Sequence, residues 1–215
     1  KRDLFNDFLI LYFSKKNMKS KINSCIQNAV DNYTNLLLSE SIKDSIALIA
    51  SKSIEAFRLD KKMLLCGNGG SAADAQHIAS ELSGRFYYSD KTPLYAEALH
   101  VNSSYMTAVA NDYGYDEVYS RMIDAKGREG DILIGISTSG KSSNVINALN
   151  KANSKGMLTI GFTGDNGGQM EDICSILIKV PSNDIPRIQE AHILIGHIIC
   201  EIIEKGMLKW TSESN

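Results

Sequence analysis

Three groups of residues in this chain have types and spacings suited to chemistry. Two are short loops rich in glycine and hydroxyl groups, Gly67-Asn68-Gly69-Gly70-Ser71 and Ser137-Thr138-Ser139-Gly140-Lys141-Ser142. Each follows a short apolar run and precedes a helical pattern. Free backbone N–H groups and the positive end of a helix dipole attract anions at such a place. Glycine lets the backbone come close, and hydroxyls add donors that turn to meet phosphate oxygens. A phosphate-bearing ligand therefore suits both loops.

The third group lies on helices. His77 and Glu81 are four apart and share one face of the helical stretch from Ser71 to Glu81. That is half a metal site, or simply a surface His–Glu pair, which spacing alone favours. A later helix carries Gln189, His192 and His197. Gln189 and His197 stand about 12 Å apart along its axis at ~1.5 Å per residue. Joining them at one metal requires leaning side chains, a distorted helix or groups from different subunits. A lone histidine in an apolar helix is more often a satisfied core residue.

Both loops imitate better-known motifs. Gly67, Gly69 and Ala72 fit the loose dinucleotide pattern G-x-G-x-x-A. That pattern needs an acidic residue near the end of the second strand, and the chain there reads Leu99-His100-Val101-Asn102, with Glu97 inside the run. Gly135 to Ser142 spells the nucleotide-phosphate pattern G-x-x-x-x-G-K-S. Against nucleotide hydrolysis, Gly135 lies inside its apolar run, and no strand ending in aspartate supplies a magnesium partner.

The elements that must position these groups follow from hydrophobic periodicity. Ile22, Ile26, Ala29, Val30, Tyr33 and Leu37, then Ile42, Ile46, Ile49, Ala50, Ile54 and Phe57, recur at helical spacing. They predict an antiparallel helical hairpin over 19–60, packing on the core and in oligomer contacts, with Ser39 or Ser41 capping the second helix. From Lys62 the pattern changes. Apolar runs at 63–66, 94–99, 132–136, 158–162 and 176–180 alternate with helical stretches. This predicts βαβ units around a parallel sheet covered on both faces. Ligands in such sheets bind beyond the carboxyl ends of the strands. A final helix opens near Ile185-Pro186. Its Ile188, Ala191, Ile195, Ile198, Ile199, Ile202 and Ile203 make it apolar on more than one face, as at a subunit contact.

Bulk properties narrow the function classes. The 215 residues are 43% hydrophobic and 22% charged, with a formal net charge of −2. No basic excess marks a nucleic-acid binder. No run approaches the ~20 apolar residues of a membrane span. Cys25, Cys66, Cys174 and Cys200 lack the spacing of a zinc ribbon or a disulfide framework. Buried reduced thiols at Cys66 and Cys174 suit a reducing compartment, so a cytoplasmic location is expected. Residues 1–18 are expected to be a leader or expression-derived segment, disordered in that reading, with a natural start at Met18. N-terminal sequencing of native protein checks this, and a start upstream of Lys1 overturns it.

Several segments together resemble the sugar isomerase (SIS) domain family, and within it the phosphoheptose isomerases. They are Cys66-Gly67-Asn68-Gly69-Gly70-Ser71, Leu82-Ser83-Gly84-Arg85, Asn111-Asp112-Tyr113-Gly114, Gly135-Ile136-Ser137-Thr138-Ser139-Gly140 and Arg187-Ile188-Gln189-Glu190. The resemblance spans about Ile22 to Leu208. It implies a three-layer α/β/α sandwich, flavodoxin-like, with a five-stranded parallel sheet in a domain over 61–210 and an N-terminal helical extension.

It also implies an aldose–ketose isomerase acting on sedoheptulose 7-phosphate through an enediol, in heptose synthesis for lipopolysaccharide or capsule. Asn68, Gly69, Gly70, Glu81, Asn111, Asp112, Ser137, Thr138, Ser139, Ser142 and Gln189 would contact substrate. His77, Glu81, Gln189 and His197 would hold one Zn2+ per subunit. Glu81 and His197 would be the acid/base pair, in either order. The assembly implied is a homotetramer with active sites at subunit contacts. The alternative is a non-catalytic SIS protein, either a sugar-phosphate-sensing regulator or a replication-initiator-associating adaptor. Such a binder has no need of the Glu81–His197 pair.

Overall fold

The computed structural model describes residues 15–89 and 91–214. Its elements run α1 (Lys15–Leu38), α2 (Glu40–Arg58), β1 (Met63–Gly67), α3 (Gly70–Ser83), β2 (Ala96–Ala98), α4 (Ser103–Tyr113), a 3-10 turn (Tyr115–Glu117), α5 (Val118–Lys126), β3 (Ile132–Ile136), α6 (Ser143–Ser154), β4 (Leu158–Thr163), a second 3-10 turn (Gly168–Asp172), β5 (Ile176–Lys179) and α7 (Ile185–Ser214). The five strands are parallel in the order β2-β1-β3-β4-β5. This is the flavodoxin-like doubly wound order. All five apolar runs become strands, but the run 94–99 contributes only Ala96–Ala98. It forms one edge, where a short strand carrying a charge such as Glu97 discourages pairing with another chain.

Alternation along the strands sorts the core into two layers. Met63 and Leu65 face α2, α3 and α7, together with Ile132, Ile134, Ile136, Ile160 and Phe162. Leu64, Cys66 and Leu133 face α4, α5 and α6. The central strands β1 and β3 are thus apolar on both faces, as a covered parallel sheet requires.

The N-terminal helices differ from the expected hairpin. Ser39 alone separates α1 from α2, and its hydroxyl caps α2 by accepting from Ile42 N–H at 3.4 Å. An antiparallel αα-hairpin needs about two to five loop residues. α2 lies along α7, with Arg58 donating to the Gly206 carbonyl at 3.4 Å. α1 instead meets the first turns of α7, where Asn32 Nδ2 donates to the Arg187 carbonyl at 2.9 Å and Arg187 Nη1 donates to the Cys25 carbonyl. Its apolar row is left open: Ile26 is 60% and Leu37 70% exposed, and Met18, Ile22, Val30 and Tyr33 share that exposure. Of the leader expected over 1–18, residues 1–14 lie outside the described residues, and Lys15–Met18 form the first turn of α1. Among the described residues, no helix is long and apolar enough to cross a membrane. α7 continues past residue 210 to Ser214.

Candidate active site

β1 and β3 are neighbours, with Gly67 opposite Ile136 at their carboxyl ends. The chain leaves β1 towards β2 and leaves β3 towards β4, on opposite sides. The crevice between these two strands is the topological switch point, where ligands of doubly wound sheets bind. Both hydroxyl-rich loops open at it.

The loop after β3 is braced from beneath. Gly164 N–H donates to the Thr138 carbonyl at 3.0 Å, and Gln169 N–H to the Gly140 carbonyl at 2.9 Å. Gly140 has φ +63°, and a Cβ there would stand 2.0 Å from the Gly167 carbonyl oxygen. Ser137 and Ser142 hydroxyls meet at 2.9 Å across the loop, while Lys141 points to solvent. Ser142 is the N-cap of α6, yet its side chain makes no cap bond to the helix. Val145 N–H is taken by Asn144 Oδ1 at 2.9 Å, while the N–H groups of Ser143 and Asn144 are left uncapped by Ser142, which suits an anion. Gly135 lies inside β3, where a Cβ would meet Val145 Cγ1 at 2.9 Å and Leu149 Cδ1 at 3.1 Å. It lets α6 pack closely on the sheet, so its place in the nucleotide-like spelling has a packing cause.

The loop after β1 is held by residues that sequence reasoning passed over. Asn68 and Asn144 exchange two amide hydrogen bonds, each 2.9 Å. Tyr115 donates to Asn68 Oδ1 at 3.2 Å, and Tyr119 to the Gly67 carbonyl at 2.5 Å. These partners lie 47 to 76 residues away, beyond any local pattern. The dinucleotide pattern fails at its second requirement: Asn102, after β2, caps α4 by accepting from Tyr105 N–H at 3.0 Å. Asn111 and Asp112 sit exposed at the end of α4, bonded to each other at 2.8 Å.

α3 and α7 lie side by side. Near the start of α3, a Cβ on Gly70 would stand 2.6 Å from Gln189 Nε2. Further along, His77 Nε2 is 3.0 Å from Glu81 Oε1 and 3.4 Å from His197 Nε2. One ligand atom from each of the three lies within 4.8 Å of the others. His77 is half exposed, so the cluster opens to solvent. Gln189 of the same chain stands with Gly70, about 12 Å from His197 along α7 at ~1.5 Å per residue.

The trio fits a metal by its donors. Ligand atoms about 2.0–2.2 Å from a tetrahedral zinc lie about 3.3–3.6 Å apart, and two imidazoles with one carboxylate leaving an open position is a catalytic-type set. Two Nε2 atoms at 3.4 Å cannot both donate to each other, whereas two lone pairs can converge on a cation.

His192 takes no part in this cluster. It is fully buried and its Nε2–H donates to the Thr163 carbonyl at 3.1 Å. Burial holds its pKa down at about 4, against the opposing effect of that hydrogen bond. The unfolded chain binds this proton near pH 6.5, the folded chain only near 4. The stabilisation is therefore complete above pH 6.5 and lost as pH falls towards 4. Unfolding free energies from urea titration at fixed protein concentration are expected to fall across that window, by up to about 3 kcal/mol from His192 alone. His192→Gln should flatten the slope, and an unchanged slope would reject the assignment.

Comparison with known proteins identifies the family. The SIS domain family pattern matches residues 28–164. Over 192 residues the chain is 48% identical to a protein named phosphoheptose isomerase from Aneurinibacillus thermoaerophilus, covering 89% of this chain and 96% of that one. The chain belongs to the SIS domain family, among its phosphoheptose isomerases. A solved phosphoheptose isomerase from Neisseria gonorrhoeae superposes with TM-score 0.82 at 37% identity, covering 87% of this chain and 99% of that one. One from Francisella tularensis gives TM-score 0.84 at 34% identity, covering 87% and 98%. This SIS protein is an enzyme, a sugar-phosphate isomerase.

Proposed function

We propose that the enzyme converts the ketose sedoheptulose 7-phosphate into the aldose D-glycero-D-manno-heptose 7-phosphate. This would be the first step of nucleotide-activated heptose synthesis for lipopolysaccharide or capsule. The observation that carries it is the convergence of Glu81, His77 and His197 on two helices that also border the phosphate loops. Along α3, Gly70 and His77 are about 10 Å apart at ~1.5 Å per residue. Such a span suits a ligand whose phosphate and reacting carbons lie at opposite ends of a chain.

Ser137, Thr138, Ser139 and Ser142, with the start of α6, hold the phosphate. Asn68, Gly69, Gly70, Asn111, Asp112 and Gln189 line the sugar. Glu81 takes a proton from C1 and His197 delivers one at C2, or the two exchange roles. The hydroxyl proton moves from O1 to O2, so the carbonyl passes from C2 to C1. His77, Glu81 and His197 would hold a zinc ion, which would polarise the carbonyl and stabilise the negative charge that develops, and Glu81 or His197 would have to leave the ion for the step in which it moves a proton. For Gln189 to join that set, it would have to come from a second copy of the chain.

The open apolar row of α1 supports assembly into a homotetramer, measurable as mass by light scattering. The four free cysteines suit a cytoplasmic enzyme. Burial raises the Cys174 and Cys200 thiols to about 12 and Cys66 higher still. Purified protein incubated with sedoheptulose 7-phosphate should yield the aldose, detected by NMR, and less of it with chelator. No aldose would reject sedoheptulose 7-phosphate as the substrate of this isomerase, and full activity in chelator would remove the metal.

A further inference from the structure

Behind the trio lies a buried ion pair. Lys91 Nζ and Glu204 Oε1 are 3.7 Å apart, with side chains 5% and 2% exposed. Such a pair is costly unless hydrogen bonds complete it. Lys91 also donates to the carbonyl of Glu81, and to that of Leu82 at 3.0 Å. These two hydrogen bonds use two of its three donors, and the third side of the ammonium faces Glu204. Those carbonyls lie in the last turn of α3, which lacks intrahelical donors and favours a cation. Glu204 accepts from Tyr87 N–H at 3.0 Å and Tyr88 N–H at 3.4 Å. It is seven residues from His197 on α7 and shares its face. Holding the backbone at Tyr87 and Tyr88 lays the preceding residue, Phe86, over the His197 ring, with centroids 5.8 Å apart and planes at 29°.

We propose that Lys91, Glu204 and Phe86 are positioning residues of the active site. The buried pair ties the Glu81 backbone to α7, and the Phe86 ring sets the rotation of the His197 imidazole. An imidazole without such packing has a broad χ2. The two proton-handling groups sit on different helices, so their mutual aim depends on this brace. The proposal rests on Glu81 and His197 having the roles given above.

Phe86→Leu is expected to lower kcat by about 10- to 100-fold with KM within about threefold, as for misaligned reacting groups. Phe86→Tyr, which keeps the ring, should restore most of the loss. An unchanged kcat in Phe86→Leu, a loss confined to KM, or no recovery with tyrosine would overturn the proposal. A second measurement is independent of turnover. The chain has four histidines, so 13Cε1-histidine labelling yields four resonances. The His197 signal should move in Phe86→Leu and in Glu204→Gln and return in Phe86→Tyr; a signal unmoved in a folded variant overturns the brace. If Glu204→Gln does not fold, the Phe86 variants decide. If the wild type lacks isomerase activity, the proposed function fails, and the NMR comparison still decides whether Phe86 orients His197.

Discussion

Glu81→Gln is expected to lower kcat by about 10²- to 10⁴-fold, the usual contribution of a positioned acid or base. The amide is nearly the same shape as the carboxylate, so the 3.0 Å contact with His77 can persist while the ability to take a proton is lost. His197→Asn should fall by a similar factor, because the ring nitrogen 3.4 Å from His77 disappears. The double variant should lose little more than the worse single one, since groups acting as a unit are not additive. Initial rates of aldose formation, with oligomer mass checked for each variant, test this. Full activity in either single variant would reject the pairing. A loss that appears in KM alone would place that residue in substrate binding.

Gly140→Ala should have the next largest effect, on stability and phosphate binding together. The αL conformation costs a non-glycine residue roughly 1–2 kcal/mol. Here the new Cβ would also meet the Gly167 carbonyl at 2.0 Å, a backbone atom that cannot swing away. The loop must shift, breaking the bonds from Gly164 and Gln169 that hold it. We expect a melting point lower by several degrees and KM for the sugar phosphate raised at least tenfold. The thermal shift given by inorganic phosphate should be lost. A variant with wild-type melting point and KM would show that the loop is not held as described.

The α3 and α7 arrangement accounts for what local patterns could and could not reveal. The strands and both phosphate loops were legible because their signals are local: apolar runs, turn residues and a helix start within a few positions. His77 and Glu81 were legible as a pair for the same reason, since four residues bring them to one face. His197 joins them across 120 residues, which periodicity cannot predict. The resemblance to the SIS family supplied that partner; the structure supplied the distance. Gln189 is the opposite case. Resemblance groups it with the three possible metal ligands, whereas within one chain two helical turns separate it from them.

Other features were invisible for physical reasons. Asn144, Tyr115 and Tyr119 hold the first loop through long-range hydrogen bonds, and nothing in their local sequence marks them. Lys91 and Glu204 lie far apart in sequence, and no local pattern marks them as a buried pair. The apolar positions of α1 predict packing on the core and in oligomer contacts; the single chain leaves them open, because one linking residue does not let α1 fold back along α2.

By itself, then, the sequence determined the alternation of strands and helices, the two phosphate-attracting loops and the His77–Glu81 pair. Each of these depends on neighbours along the chain. Only the tertiary structure decided that His197 meets that pair and that Gln189 of the same chain stands apart. It also decided that Gly135 serves helix packing. Those outcomes depend on how α3, α6 and α7 pack against the sheet, and packing brings together residues whose separation in sequence carries no signal.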